Sequence, residues 1–266
     1  MSIHIMDRRG LTRLEFFDCN ACFGRPMIRP IRYAESAKEL LEEMDFYGIK
    51  EALVFHSRQR DDSPVVGNEI LASEIKGIGR LYGVFAILPP QTGEMGSFED
   101  LLEKMRLNRI KAFRAFPSEH KFLMTRTALG SLYDFMIEGN IPLFISINES
   151  CGGISGWYLI EQILSDAPDL TLVVTEHGSW GQDRFFRPLI EKYENLYLDI
   201  SRYELDGGIS DFCAKYGAER LLFGTGYPWW NPGGPILMLA QADITSKERG
   251  MIASGNIRRI LRRVRI

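Results

Sequence analysis

Residues 170–201 read LTLVVTEHGSWGQDRFFRPLIEKYENLYLDIS, and this stretch decides the fold. An apolar run from Leu170 to Glu176 gives way to glycine and polar residues. A segment of helical period follows from Arg184 to Tyr193, and a second apolar run covers Asn195 to Ile200. Short, nearly continuous apolar runs are what strands buried on both faces of a parallel sheet require, and a helix between two of them makes a βαβ unit. Working outward, the same alternation recurs. Strands are expected at Leu14–Asp18, Lys50–Phe55, Arg80–Ile87, Arg109–Phe116 and Ile141–Ile147 before this stretch, and at Glu219–Gly224 after it. Helical spacing joins Ala37, Leu40, Leu41, Met44 and Tyr47, with Gly48 suited to stop the helix, and Ala128 to Ile137 repeats that spacing before Gly139. Further helices are expected at Pro64–Gly77, Ser97–Leu107, Ile154–Ser165, Gly208–Tyr216 and Ser246–Val264. Eight strand and helix units in strict alternation predict an α/β chain folded as a single-domain (β/α)8 TIM barrel, regular or distorted, over residues 1–266. An open doubly wound sheet fits less well, because no Gly-x-Gly-x-x-Gly follows the first strand.

Composition limits the function classes. With 45% hydrophobic and 25% charged residues the 266-residue chain is neither disordered nor a disulfide scaffold. A formal net charge of -3 provides no general attraction to nucleic acid or to an anionic membrane. No apolar run approaches the ~18 residues of a membrane span. A cytoplasmic protein is expected, with its four cysteines reduced, a small and anionic molecule as partner, and homo-oligomers left open.

In such a barrel the chemistry lies at the C-terminal ends of the strands. After the first strand come Asp18, Asn20 and Cys22, whose alternation predicts that all three face the interior. Cys19 and Cys22 match a thiol redox spacing, but residues three apart on a strand are expected to face opposite sides. Arg114 and Arg202 offer guanidinium forks for a carboxylate or phosphate, or else internal ion pairs with Asp18, Glu149, Glu176 or Asp199. Tyr227, Trp229, Trp230 and Trp180 are candidates for an aromatic wall. His56 and Arg58 look like part of a solvated loop. Asn231–Pro235 is glycine-rich but lacks the Lys-Ser/Thr of a phosphate loop, and the arginines from 258 to 265 read as the solvated face of a docked helix.

Five segments in order carry a family resemblance: the Asp18 opening, Thr171–Gly178 (TLVVTEHG), Leu196–Ser201 (LYLDIS), Leu221–Pro228 (LLFGTGYP) and Gly255-Asn256. On these the chain resembles the amidohydrolase superfamily in its amidohydrolase-2 branch. The resemblance implies a decarboxylase, hydratase or lactonase of small carboxylated compounds, with hydrolase as the default label. The family's strand-1 Asp-x-His-x-His would fall on Asp18, Asn20 and Cys22, its strand-5 histidine near Ser146, and its strand-8 aspartate on Gly226; His177 matches the strand-6 histidine. The expectation is therefore an enzyme with the metal ligands substituted and no cofactor. His177 would transfer a proton with Asp18 as partner, and Arg114 would hold an anionic group. Asn20, Cys22, Ser146, Glu149, Arg202, Tyr227 and Trp229 would complete the substrate contacts. Two alternatives stay open: an inactive ligand-binding or regulatory barrel, and a metal-dependent hydrolase with a rebuilt zinc or manganese site on Cys22, His177, Asp18 and Glu149.

Overall fold

The computed structural model describes residues 14–178 and 182–266. Eight parallel strands lie side by side in chain order: β1 (Phe16–Phe23), β2 (Ile49–His56), β3 (Leu81–Ala86), β4 (Ile110–Arg114), β5 (Leu143–Ser146), β6 (Leu172–Thr175), β7 (Leu196–Asp199) and β8 (Leu221–Leu222). The ring closes through backbone bonds between β1 and the segment after β8. Cys19 N donates to Phe223 O (2.9 Å), Gly226 N to Asn20 O (2.9 Å) and Cys22 N to Tyr227 O (2.8 Å). The expected (β/α)8 barrel is the observed fold. Apolar side chains form two layers: an interior cluster that includes Phe17, Leu53, Phe55, Phe144 and Tyr197, and a larger one between the sheet and the surrounding helices. Among the described residues no helix is long and apolar enough to cross a membrane.

Most helices fall where the periodicity put them. Ala37–Tyr47 is capped by Ser36 and stopped by Gly48 at φ 73°, a left-handed position that glycine adopts without strain. The remaining differences have local causes. β1 runs on to Phe23, five residues past its expected end, because FFDCNACF is buried throughout and its polar residues find partners inside the barrel. A register shift between Asp18 and Ala21, where β1 gains a residue on β2, breaks the two-residue alternation. Cys19 and Cys22 consequently join the same interior cluster, against the expectation that they face opposite sides.

β8 is short because Phe223 N bonds Ile252 O (3.0 Å) instead of continuing along β7. The helix expected over Ser246–Val264 is divided by a wide π turn at Met251–Gly255. Beyond it, buried Asn256 donates to Ala218 O (2.7 Å) and Leu221 O (2.9 Å). Ile257, Ile260 and Leu261 join the interior cluster, and Arg258 pairs with Glu15 (2.9 Å) and Glu51, so that arginine bridges the last helix to the first strands. A helix at Gly233–Gln241, starting next to Asn231 and Pro232, was not expected: glycine and proline mask a start that they permit at the first turn. One-turn helices at Arg58–Asp61 and Pro117–His120 also follow β2 and β4.

Candidate active site

A cavity of about 470 Å³ opens at the C-terminal ends of the strands. Arg114, the last residue of β4, belongs to its wall and is 4% exposed. Its Nη1 donates to Asn20 Oδ1 (2.7 Å) and its Nη2 to Thr175 Oγ1 (3.2 Å), while Nη2 lies 3.6 Å from Glu176 Oε1. The guanidinium rests 4.4 Å from the Phe55 ring centre and 5.5 Å from that of Phe116, a cation–π setting. Its Nε is buried without a hydrogen-bond partner among the described residues.

Asn20 is the link behind Arg114. With its oxygen taken by the guanidinium, its Nδ2 donates to Asp199 Oδ2 (2.9 Å). Asp199 Oδ1 accepts from Glu176 N (3.1 Å), Ser201 N (3.2 Å) and Ser201 Oγ (2.7 Å). Burial raises the Asp199 pKa to about 6 against the bond from Ser201, and the charge of Glu176 adds to the rise. Asp18 is engaged at the seam of the barrel. Oδ2 accepts from Thr225 Oγ1 (2.5 Å), and Oδ1 from Thr225 N and Asn20 N (both 2.9 Å). Burial again pushes its pKa up to about 6. Its partner is a threonine, not an arginine.

Strand β6 is followed by a left-handed residue, Glu176 at φ 61°. This turn interrupts the alternation that would aim His177 inward after Thr175. Glu176 instead faces the cavity, where Ser146 Oγ donates to its Oε2 (2.8 Å). His177 packs in the outer layer with its ring centre 5.1 Å from Tyr203, 5.3 Å from Phe186 and 6.3 Å from Trp157. Neither ring nitrogen has a hydrogen bond of normal geometry to a described residue, and burial lowers its pKa to about 4. His177 therefore does not reach the cavity.

Of the other residues singled out from the sequence, Ser146, Glu149, Trp229 and Trp230 line the cavity. Glu149 Oε2 accepts from Ser118 N (2.9 Å), and burial raises the pKa of the carboxyl against the bonds from Ser118. Cys22 is fully buried, its thiol donating to Phe23 O (3.5 Å), and burial pushes that thiol far up. Arg202 is turned to Glu204 (3.2 Å) and lies over Trp230 (3.8 Å). Tyr227 packs in the outer layer, and Trp180 lies outside the described residues. His56 is not in a solvated loop: it is buried, and its Nδ1 accepts from Arg58 N (3.2 Å). A side chain added at Gly24 would begin 2.3 Å from His56 Nε2, so that close approach needs a glycine.

The sequence reading missed Arg60, Asp61, Phe55 and Phe116, which line the cavity beside Arg114. The usable signal was their position just inside or just after β2 and β4.

At the four positions of the resemblance's metal ligands, Asn20 gives its oxygen to Arg114, Cys22 bonds Phe23 O, and Ser146 donates to Glu176. The fourth, Gly226, has φ 65°, and a Cβ there would lie 2.5 Å from the Trp230 ring. Among the described residues no three His, Cys, Asp or Glu side chains are grouped to hold a metal ion.

Similarity to solved structures extends over almost the whole chain. An uncharacterised TIM-barrel protein from Bordetella bronchiseptica aligns with TM-score 0.71 and 22% identity, covering 94% of this chain and 99% of that one. A 2,6-dihydroxybenzoate decarboxylase from Rhizobium aligns with TM-score 0.70 and 15% identity over 94% and 99% of the two chains. A dihydroxybenzoic acid decarboxylase from Polaromonas, solved with bound manganese and the inhibitor 2-nitroresorcinol, aligns with TM-score 0.68 and 14% identity over 94% and 97%. At these identities the likeness establishes the fold. None of the curated proteins matches the chain. The amidohydrolase family model, by contrast, matches residues 26–263, and with that span the chain belongs to the amidohydrolase family.

Proposed function

We propose that this protein is an enzyme that cleaves a C–C or C–O bond of a small carboxylated molecule by acid-base chemistry, without a metal cofactor. The observation that carries this reading is Arg114, a guanidinium set in the cavity wall against the Phe55 and Phe116 rings, whose Nε has no partner among the described residues. A ligand carboxylate at that wall would meet this fork through charge-assisted bonds. The rings of Phe55, Phe116 and Trp229 suit a flat, apolar body attached to that carboxylate.

The proton carrier in this reading is Glu149. Burial raises its pKa and the residue lines the cavity, so in its acid form it can donate a proton to the atom that gains electron density as the bond breaks. His177 and Asp18 do not serve that role, since one is turned outward and the other is bound by Thr225. The residues at the resemblance's metal-ligand positions do not fit a divalent cation, because the Asn20 oxygen accepts from Arg114, the Cys22 thiol is protonated and bonded to Phe23 O, and Trp230 takes the space beside Gly226. That two of the similar structures are decarboxylases favours C–C cleavage within this class.

The test is turnover of a panel of hydroxybenzoates and lactones by protein stripped with chelator. Activity that survives chelation and is lost in Glu149→Gln supports the reading. Activity restored only by added manganese or zinc overturns the metal-free mechanism. The outward His177 also favours a second reading, a ligand-binding barrel without catalysis. That reading predicts carboxylate binding with no turnover across the panel.

A further inference from the structure

We infer that the ligand of this cavity carries two anionic groups, and that Arg60 is the residue that recognises the second. This rests on the reading that Arg114 holds a carboxylate. Arg60 follows β2 in a one-turn helix and lies in the same cavity. Its guanidinium sits 4.3 Å from the centre of the Trp229 ring, and Trp229 stacks on Phe55 at 6.3 Å with 12° between planes. Phe55 in turn carries Arg114. Each ring of one stacked aromatic pair therefore bears its own guanidinium.

The Arg60 side chain is held by Asp61 and by the Trp229 ring, and its backbone by His120. Its Nε donates to Asp61 Oδ1 (2.7 Å), and Asp61 Oδ2 accepts from Met27 N (2.8 Å), which ties in the loop after β1. His120 Nε2, after β4, lies 3.2 Å from the Arg60 carbonyl and donates to it. Asp61 engages Arg60 through Nε alone. Both terminal NH₂ groups have no protein partner among the described residues, while the side chain is only 23% exposed. A fork held in place, stacked and left unpaired is preorganised for a carboxylate, and preorganisation lowers the ordering cost of binding. A flat molecule with carboxylates at separate positions on one ring can meet both forks while its body lies along the aromatic wall.

The experiment titrates benzoate, isophthalate and terephthalate into wild type, Arg60→Gln and Arg60→Lys, with thermal unfolding as a check on folding. Wild type is expected to bind one of the dicarboxylates at least tenfold more tightly than benzoate. Arg60→Gln should erase that preference, and Arg60→Lys should retain part of it. Equal affinity of wild type for benzoate and both dicarboxylates overturns the inference, as does an Arg60→Gln protein that weakens all three alike. If none of the probes binds wild type, the assignment of Arg114 as a carboxylate site fails, and this inference fails with it. A dicarboxylate preference that survives in folded Arg60→Gln overturns the role of Arg60 alone.

Discussion

The Arg114 guanidinium and the Asn20 amide meet at 2.7 Å across the barrel, one from β4 and the other from β1. Asn20 passes the contact on to Asp199, so a single side chain orients the cation toward the cavity and occupies a buried carboxylate. Arg114→Met should abolish benzoate binding and cost about 3 kcal/mol of stability, because it leaves Asn20 Oδ1 and the Glu176 charge without their partner. Arg114→Lys keeps the charge without the fork and should weaken binding at least about tenfold. Calorimetric titration with parallel urea unfolding checks both.

Carboxylates outnumber guanidiniums at the cavity wall, which is lined by Asp61, Glu119, Glu149 and Glu176 with Arg60 and Arg114. An incoming anion is therefore easiest to accommodate while Glu149 is protonated. Glu149 has a folded pKa above its ordinary value, so affinity should be fully present below that pKa and fall as pH rises through it. Benzoate titrations at rising pH should show a decline that is absent in Glu149→Gln.

His177 titrates in the opposite sense. Its folded pKa near 4 lies below the ordinary 6.5, so the folded state refuses a proton that the unfolded chain accepts. Stability from keeping this ring neutral is present above pH 6.5 and is lost as pH falls toward 4, by about 2 kcal/mol at pH 5. His177→Phe should fill the Trp157, Phe186 and Tyr203 surroundings without this loss. Its thermal midpoint is expected to gain on wild type as pH drops from 7 to 5, and an unchanged difference would contradict the burial of His177.

Thr225 holds Asp18 by both its hydroxyl and its amide. Thr225→Val keeps the amide and removes the hydroxyl, leaving Asp18 Oδ2 buried and unpaired at a cost of about 2 kcal/mol. The same substitution with Asp18→Asn should not add a further loss of equal size. Urea unfolding of the two single variants and the double variant measures that coupling.

The barrel could be read from the sequence because apolar runs and helical spacing are local signals that tertiary structure rarely overrides eight times in a row. Helix ends were legible wherever a cap residue announces them, as with Ser36 and Gly48. The site was legible only in part. Arg114, Ser146, Glu149 and Trp229 reach the cavity, as a count from the strand ends suggests. His177 does not, because one left-handed residue before it cancels the alternation on which that count depends. The register shift in β1 acts in the same way on Cys19 and Cys22. Arg60 was hidden for another reason: in the run Ser57 to Asp62 nothing distinguishes a solvated arginine from one stacked on a tryptophan 169 positions later in the chain.

Among the described residues the ring is sealed by a few amide bonds, and these flank the residues that support Arg114. Cys19 N and Cys22 N lie on either side of Asn20, and Gly226 N donates to the carbonyl of Asn20 itself. Opening the seam therefore releases the amide that positions the guanidinium, and a ligand that pins the guanidinium holds the seam shut. Deuterium uptake at those three amides should slow in proportion to ligand occupancy, while amides on the far side of the barrel keep their unliganded rates.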